Sequence, residues 1–323
     1  MSSKEMITEK IQQQSKTILD EWPAYSANHT DYDVKNFNFN FLGARERKYF
    51  CNFQDQTLYK EFLMHGIAPV PENQVASIPI NPQKPALTEE YFEHLDLLES
   101  VCHHHKKCLQ GKNPKREFRM MELGAGYGRW SMDAVCALRR LHAADELKQE
   151  PLYHLVLIEA EPSHVQMIHQ NIQDNHCSAA QINVVNAAVS GHNGTVEFWI
   201  GNPAGWYGQA ISDTAIAGKT AQVTCVSLES LLNARPEWDL LDFDIQGTEV
   251  TAIASCFPQI NDKVRKMHVG THSVVIEQQL RALFQAFRWI PIWDYSLQGE
   301  RDTLYGKTMF GDGIQSWMNP KFV

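Results

Sequence analysis

Phe118-Arg119-Met120-Met121-Glu122-Leu123-Gly124-Ala125-Gly126-Tyr127-Gly128-Arg129-Trp130 is the stretch whose reading decides the fold. A short apolar run broken by one acid leads into three glycines on alternate positions, and a long helical pattern follows. It reads as a strand, a tight turn and a helix N-terminus. Glycine allows positive φ and close approach of backbone to a ligand, and the unpaired N–H groups that open the helix favour an anionic or carboxylate group. The spacing separates cofactor classes. A dinucleotide fingerprint needs G-x-G-x-x-G, but here the third glycine comes one position early and Arg129 stands where that motif has glycine, which disfavours nicotinamide dinucleotides. Such a turn can also simply join strand to helix in any α/β protein, so the other half of a site has to be found downstream.

Beyond the turn, Ala134, Val135, Ala137, Leu138, Leu141 and Ala144 give an amphipathic helix one apolar face. After Pro151 the run Tyr153-His154-Leu155-Val156-Leu157-Ile158-Glu159-Ala160-Glu161-Pro162 reads as a buried strand ending in acids and a helix-starting proline. An acid at the end of the second strand of a doubly wound sheet lies beside the first loop and can accept from both hydroxyls of a ribose. Glu161 is the first candidate, and Glu159, two residues back on the same face, is the reserve. The competing reading is that both acids only cap the next helix, where negative charge is favoured anyway.

The chain has 323 residues, 43% hydrophobic and 21% charged, a composition that suits one enlarged α/β domain with an extension. A formal net charge of −9 argues against a general nucleic-acid binder. Without an apolar run of about 18 residues or a signal-like N-terminus, neither a membrane span nor export is expected, which points to the cytoplasm. Seven irregularly spaced cysteines fit reduced thiols. Residues 1–22 read as a polar helix with a thin stripe of Met6, Ile7, Ile11, Ile18 and Leu19, suited to pack on the main domain or to pair with a second copy as a homo-oligomer. Residues 23–81, rich in aromatics and Asn, suit a cap, and a helix follows from Glu89 to Val101. Cys102-His103-His104-His105-Lys106-Lys107-Cys108 invites a metal reading, but three consecutive histidines at a helix end point in three directions. A solvated helix end followed by a basic loop is expected, and no metal-ligating set is read anywhere in the chain.

The form Glu122-x-Gly124-x-Gly126-x-Gly128 resembles the first motif of S-adenosylmethionine-dependent methyltransferases. The downstream order of motifs resembles the FkbM family of these enzymes: Glu161-Pro162-Ser163, then Asn186-Ala187-Ala188-Val189-Ser190 with His192-Asn193-Gly194 in a turn, Val226-Ser227-Leu228-Glu229-Ser230-Leu231-Leu232, and Asp239-Leu240-Leu241-Asp242-Phe243-Asp244-Ile245-Gln246-Gly247-Thr248-Glu249. The resemblance runs from about Glu89 to the C-terminus. Departures mark a divergent subgroup: Asp242 replaces the family's usual lysine, Gln246 its glutamate, and Gly270 the glutamate that precedes the terminal histidine, here His272.

The resemblance implies a Rossmann-like class I methyltransferase fold over 89–323, a seven-stranded mixed sheet with helices on both faces, with residues 1–88 as an N-terminal helical cap. Trp289 to Tyr295 and Lys307 to Trp317 would form its closing antiparallel pair. S-adenosylmethionine would lie across the ends of the first strands. Gly124, Ala125, Gly126, Tyr127 and Gly128 would approach its methionine and ribose, Glu122 its amino group, Glu161 the ribose, and Asn186, Ala187 and Ala188 the adenine. The acceptor, a small molecule or glycan, would meet Trp206 and Tyr207 on a glycine-rich loop, and Gln246. His272 is the first candidate for the base that removes a hydroxyl proton, with Asp244, also beside the cofactor, the second. The implied activity is O-methylation of a sugar, glycan or secondary metabolite. The rival is a subunit that binds the cofactor without transferring a methyl group.

Overall fold

The computed structural model describes residues 3–22, 37–47, 50, 84–111, 116–200, 211 and 219–323. In chain order these form α1 (Ser3–Glu21), a hairpin of β1 (Phe37–Phe39) and β2 (Arg45–Arg47), α2 (Glu89–Leu109), β3 (Phe118–Leu123), α3 (Arg129–Ala144), β4 (Tyr153–Glu159), α4 (Pro162–Asp174) and β5 (Ile182–Asn186). A small sheet follows, of β6 (Ala188–Ser190), β7 (Gly194–Ile200) and β8 (Lys219–Ser227). Then come α5 (Leu228–Leu232), β9 (Leu240–Phe243), α6 (Glu249–Ser255), α7 (Phe257–Lys263), β10 (Lys266–Thr271), α8 (Val274–Ala286), β11 (Ile290–Tyr295), β12 (Gly299–Thr303), β13 (Gly306–Phe310) and β14 (Gly313–Met318).

Seven strands make one sheet in the order β11-β14-β10-β9-β3-β4-β5. β5, β4, β3, β9 and β10 run parallel, and β14 is antiparallel to both of its neighbours. This is the mixed seven-stranded sheet the sequence predicts. Because both faces are covered, the central strands β3, β4 and β9 are buried along almost their whole length, and alternate residues serve opposite cores. Met120, Leu155 and Leu157 pack with α2 and α3 on one face, whereas Met121, Val156 and Leu241 pack with Trp238 and Phe257 on the other. From β3 the chain winds outward through β4 and β5, then returns to β9 on the opposite side. The crevice at that switch, outside the carboxyl ends of β3 and β9, is where a doubly wound sheet binds ligands.

Helix α1 lies along the sheet's outer strand. Thr8 Oγ1 donates to the Pro291 carbonyl at 2.9 Å and Gln12 Nε2 to that of Ile292 at 2.6 Å, while Ile11 and Leu19 are buried. An edge that would otherwise present unpaired carbonyls is thereby covered. Of the expected stripe, Met6 remains exposed.

Two local expectations need correction. The run from Lys307 to Trp317 is not one strand: it breaks at Gly311-Asp312, and its first part pairs with β12 in a separate hairpin while β14 enters the main sheet. The break is held by Glu89, whose carboxylate accepts from the Gly311 and Asp312 amides. The histidine stretch is not a solvated helix end either. His104 and His105 are buried in α2; His104 meets Arg116 and Asp239, and His105 Nε2 lies 2.6 Å from Asp145. Burial lowers the pKa of His104 to about 4, so it packs as a neutral ring. Among the described residues, no helix is long and apolar enough to cross a membrane.

Candidate functional site

The glycine turn is fixed by the ends of its neighbouring strands. Gly124 N and Ala125 N donate to the Ile158 carbonyl, and Asp244 N donates to that of Leu123. Gly124 has φ +82, and a Cβ there would stand 1.8 Å from the Asp244 carbonyl oxygen, so only glycine lets β3 and β9 close at this point. Gly126 N donates to Glu159 Oε2 at 2.8 Å, and the other oxygen of Glu159 accepts from Glu161 N, also at 2.8 Å.

These bonds reverse the order of the two acids. Glu159 faces the cavity beside the glycine turn, while Glu161 turns away as the N-cap of α4 and accepts from Ser163 N and Oγ. The reason lies in the strand's end: β4 stops at Glu159, and by Glu161 the chain has taken the extended conformation of a cap. Gly128 is corrected in the same way. A Cβ on it would press on Leu157 Cδ2 at 2.7 Å, so this glycine serves helix–strand packing and lines neither cavity described below. Asn186 is also outside them: its amide donates to the Glu159 and Ala160 carbonyls. Trp206 and Tyr207 lie outside the described residues.

Two cavities adjoin at the switch point. The first, about 560 Å³, is lined by Gly124, Gly126, Ile158, Glu159, Ala187, Ala188, Phe198, Ile211 and Asp244, mostly apolar walls with Glu159 beside the glycine turn and Asp244 at the border. The second, about 1070 Å³, is lined by Glu122, Ala125, Tyr127, His272 and the acids Glu89, Glu90, Glu93, Asp242, Asp244 and Asp312. Gly124, Gly126, Asp244 and Gln246 border both. Tyr127 contributes less than expected, because its ring stacks on Phe50 at 5.1 Å and its hydroxyl donates to Glu46.

His272, Asp244 and Glu249 meet at the boundary. His272 Nδ1 lies 2.8 Å from Glu249 Oε1, and Nε2 lies 3.1 Å from Asp244 Oδ1. Burial alone would lower the histidine pKa, but the hydrogen bonds to Asp244 and Glu249 outweigh it and lift the value to about 10. The ring is therefore an imidazolium at neutral pH, which corrects the expectation of a neutral histidine base. Gln246 Nε2 donates to Asp244 Oδ1 at 2.9 Å from a backbone with φ +56, a rare conformation held by its surroundings. At the other end of the second cavity, Glu122 accepts from the Trp130 and Ser131 amides that open α3. Burial pushes its pKa up to about 8 despite those bonds.

Sequence reasoning missed Glu249, although it sits in a motif the sequence does display, and it missed His164, which lies 3.6 Å from Glu159 on the wall of the first cavity. It also missed Glu93 and His268. No local pattern announces them, because they come from a helix and a strand about 175 residues apart in the fold's wiring, on the order of a whole domain.

The sequence model of the methyltransferase FkbM domain matches residues 124–298. A protein of Jannaschia sp. (strain CCS1) assigned as a methyltransferase is 26% identical over 191 residues, which cover 56% of this chain and 65% of that one. The chain thus spans less than two thirds of that relative's length. Among solved structures, an FkbM methyltransferase from Methylobacillus flagellatus KT overlays with a TM-score of 0.39 at 11% identity, covering 62% of this chain and 43% of that one. Magnesium protoporphyrin IX methyltransferase from Synechocystis PCC 6803, with bound SAM, overlays with a TM-score of 0.33 at 8% identity, covering 73% and 86%.

Proposed function

The chain belongs to the FkbM methyltransferase family, and from that premise we propose that it transfers the methyl group of S-adenosylmethionine to a hydroxyl oxygen on a sugar, glycan or secondary metabolite. The observation that carries this reading is the pair of adjoining cavities divided by Gly124, Gly126, Asp244 and Gln246. One has mostly apolar walls with Glu159 at the glycine turn, as a nucleoside requires; the other is larger and lined by several acids, with Asp244 on the border between them. The cradle fits the cofactor, since the backbone comes close where glycines leave room and Glu159 already organises the loop.

When bound, the cofactor supplies a methyl group on an already activated sulfonium. The chain's own task is then alignment and proton removal. Glu159 would take the ribose hydroxyls, since each of its oxygens holds one amide and can accept again. Ile158, Ala187 and Phe198 would enclose the adenine, and Glu122 would face the cationic amino group. Asp244 would accept the proton of the acceptor hydroxyl, and the His272 imidazolium, anchored by Glu249, would hold it in place. The protein would act in the cytoplasm, a setting supported by cysteines that are all unpaired among the described residues.

The departures at Gln246 and Gly270 motivate the second reading, a cofactor-binding subunit that performs no transfer. Formation of S-adenosylhomocysteine on incubation with S-adenosylmethionine and a panel of glycans and hydroxylated metabolites separates the two. Turnover that Asp244→Asn abolishes supports the enzyme; cofactor binding without turnover on any acceptor supports the subunit.

A further inference from the structure

Outside the Asp244–His272–Glu249 group, three ligand-type side chains meet on the wall of the acid-lined cavity. They are Glu93 from α2, Asp242 from β9 and His268 from β10, with one ligand atom of each within 4.8 Å of the others. We propose that these residues hold a divalent transition-metal cation with at least one coordination position open to the cavity.

The backbone builds this meeting. His268 and Asp242 are register partners on adjacent parallel strands, so their side chains share one face of the sheet. Glu93 reaches that face from α2, and Asp96, three residues on along the same side of the helix, reaches His268. His268 Nδ1 lies 2.7 Å from Asp96 Oδ2, and Asp96 Oδ1 forms an ion pair with the fully buried Lys266 ammonium at 2.6 Å. With Nδ1 set against the Asp96 carboxylate, the ring proton belongs on that nitrogen and the lone pair of Nε2 is left for the cluster. A carboxylate behind a histidine is how metal-ligating imidazoles are usually oriented.

A second observation points to a ligand. Asp242 is 4% exposed, and its Oδ1 has no hydrogen-bond partner among the described residues although the side chain lines the cavity. A buried carboxylate oxygen without a partner is costly, and Glu93 beside it adds a like charge. A dication satisfies both acids at once. One imidazole nitrogen and two carboxylate oxygens suit manganese, iron, cobalt or zinc better than the all-oxygen shells of calcium and magnesium. Such ligands lie about 2.0–2.2 Å from the metal, so the cluster must tighten slightly on binding. Glu93, the partly exposed member, has the freedom to do so. The site's existence does not depend on the methyl-transfer reading. Its use rests on it: the open position would take an oxygen of the acceptor.

The test is metal binding to the full-length chain after stripping with a chelator. Titration with Co²⁺ should reach about one equivalent and give the visible absorption of a protein-bound ion, and Mn²⁺ and Zn²⁺ should compete. Asp242→Asn and His268→Gln should each weaken Co²⁺ binding by about 100-fold or more. Asp96→Asn, which reaches the cluster through His268 and also loosens Lys266, should weaken it by about 10–100-fold and change the spectrum. Affinity for S-adenosylhomocysteine, measured on the same samples, reports the cofactor cavity and intact folding; if the buried variants unfold, Glu93→Gln replaces them. Substoichiometric binding of all three ions, or tight binding indifferent to Asp242→Asn, His268→Gln and Glu93→Gln, overturns the proposal and leaves Glu93 and Asp242 sharing a proton. Failure of the wild type to bind S-adenosylhomocysteine would instead remove the methyl-transfer reading and leave the metal result standing.

Discussion

His272 Nε2 lies 3.1 Å from Asp244 Oδ1, and this contact decides which of the two can act as a base. With Glu249 on its other nitrogen, His272 keeps its proton up to a pH of about 10. An imidazolium cannot take a second proton, so in the proposed transfer the acceptor's proton would go to Asp244. Asp244→Asn is expected to lower kcat by about 10²–10⁴-fold, the usual worth of a general base. His272→Gln, which only loosens the carboxylate, should cost roughly tenfold. The wild-type profile of kcat/KM should show no rise through about 6.5. A limb at that pH, present in the wild type and absent from His272→Gln, would return the role to the histidine.

The same contact makes stability depend on pH. A histidine whose pKa is raised on folding binds its proton more tightly in the native state. Its contribution is complete below the ordinary value of 6.5 and fades as the pH climbs through about 10. The gap in Tm between wild type and His272→Gln should therefore be largest near pH 6 and shrink steadily toward pH 10. A gap that does not change with pH would mean the ring contributes through packing alone.

Glu159 and Glu161, two residues apart, should give opposite phenotypes. Glu159→Ala removes the acceptor of the Gly126 amide and the cavity's acid beside the glycine turn. Affinity for S-adenosylhomocysteine should fall about tenfold to a hundredfold, equivalent to roughly 1.5–3 kcal/mol for hydrogen bonds to a charged group. Glu161→Ala removes a helix cap, so affinity should change little while stability drops by about 0.5–2 kcal/mol. Calorimetric titration and chemical denaturation of both variants distinguish the roles, and an affinity loss confined to Glu161→Ala would reverse them.

How far the sequence could be read follows from the range of each signal. The strand, glycine turn and helix around Gly124 were legible because they are contiguous, and periodicity and φ demands act over a few residues. The parallel sheet was legible for the same reason, since strands buried on both faces must be apolar along their length. The choice between Glu159 and Glu161 was not, because it turns on where β4 ends, and strand ends depend on neighbours. The fate of His272 depended on Glu249 and Asp244, brought to it by two other elements. The departure at Asp242 was visible in the chain, but its companions Glu93 and His268 were not, because only the folded sheet brings α2 against β9 and β10.

Glu122 should couple cofactor binding to proton release. Burial holds its pKa at about 8, so at pH 7 most of the free protein carries the neutral acid. A cationic amino group placed beside it favours the carboxylate. Binding of S-adenosylhomocysteine at pH 7 should thus release close to one proton, and affinity should strengthen with pH up to about 8 and then level off. Calorimetry in buffers of different ionisation enthalpy reads the proton directly, and Glu122→Gln should abolish the difference. Equal apparent enthalpies in phosphate and Tris for the wild type would place the amino group elsewhere.

Gln246 stands beside Asp244 where the family resemblance has an acid, and the consequence of restoring that acid can be worked out. Its Nε2 now donates to Asp244 Oδ1 at 2.9 Å, so the amide supports the carboxylate form. In Gln246→Glu the donor becomes a second carboxylate that repels Asp244, and uptake of a proton by the pair as the pH falls would withdraw the base. Turnover at pH 6 should fall about tenfold, while turnover at pH 8.5 should stay within a few fold of wild type. Gly270→Glu tests the same point from the other side. A Cβ there would sit 3.4 Å from the Phe243 carbonyl oxygen and 3.7 Å from Asp244 Cγ, in ordinary contact, so the backbone accepts the change and a carboxylate is added to the cavity wall. Affinity for S-adenosylhomocysteine should hold in both variants. If Gln246→Glu loses activity equally at pH 6 and pH 8.5, the defect is one of position and Asp244 is not the titrating base. If it loses none at either pH, the acceptor reaches the site already deprotonated and the chain supplies alignment alone.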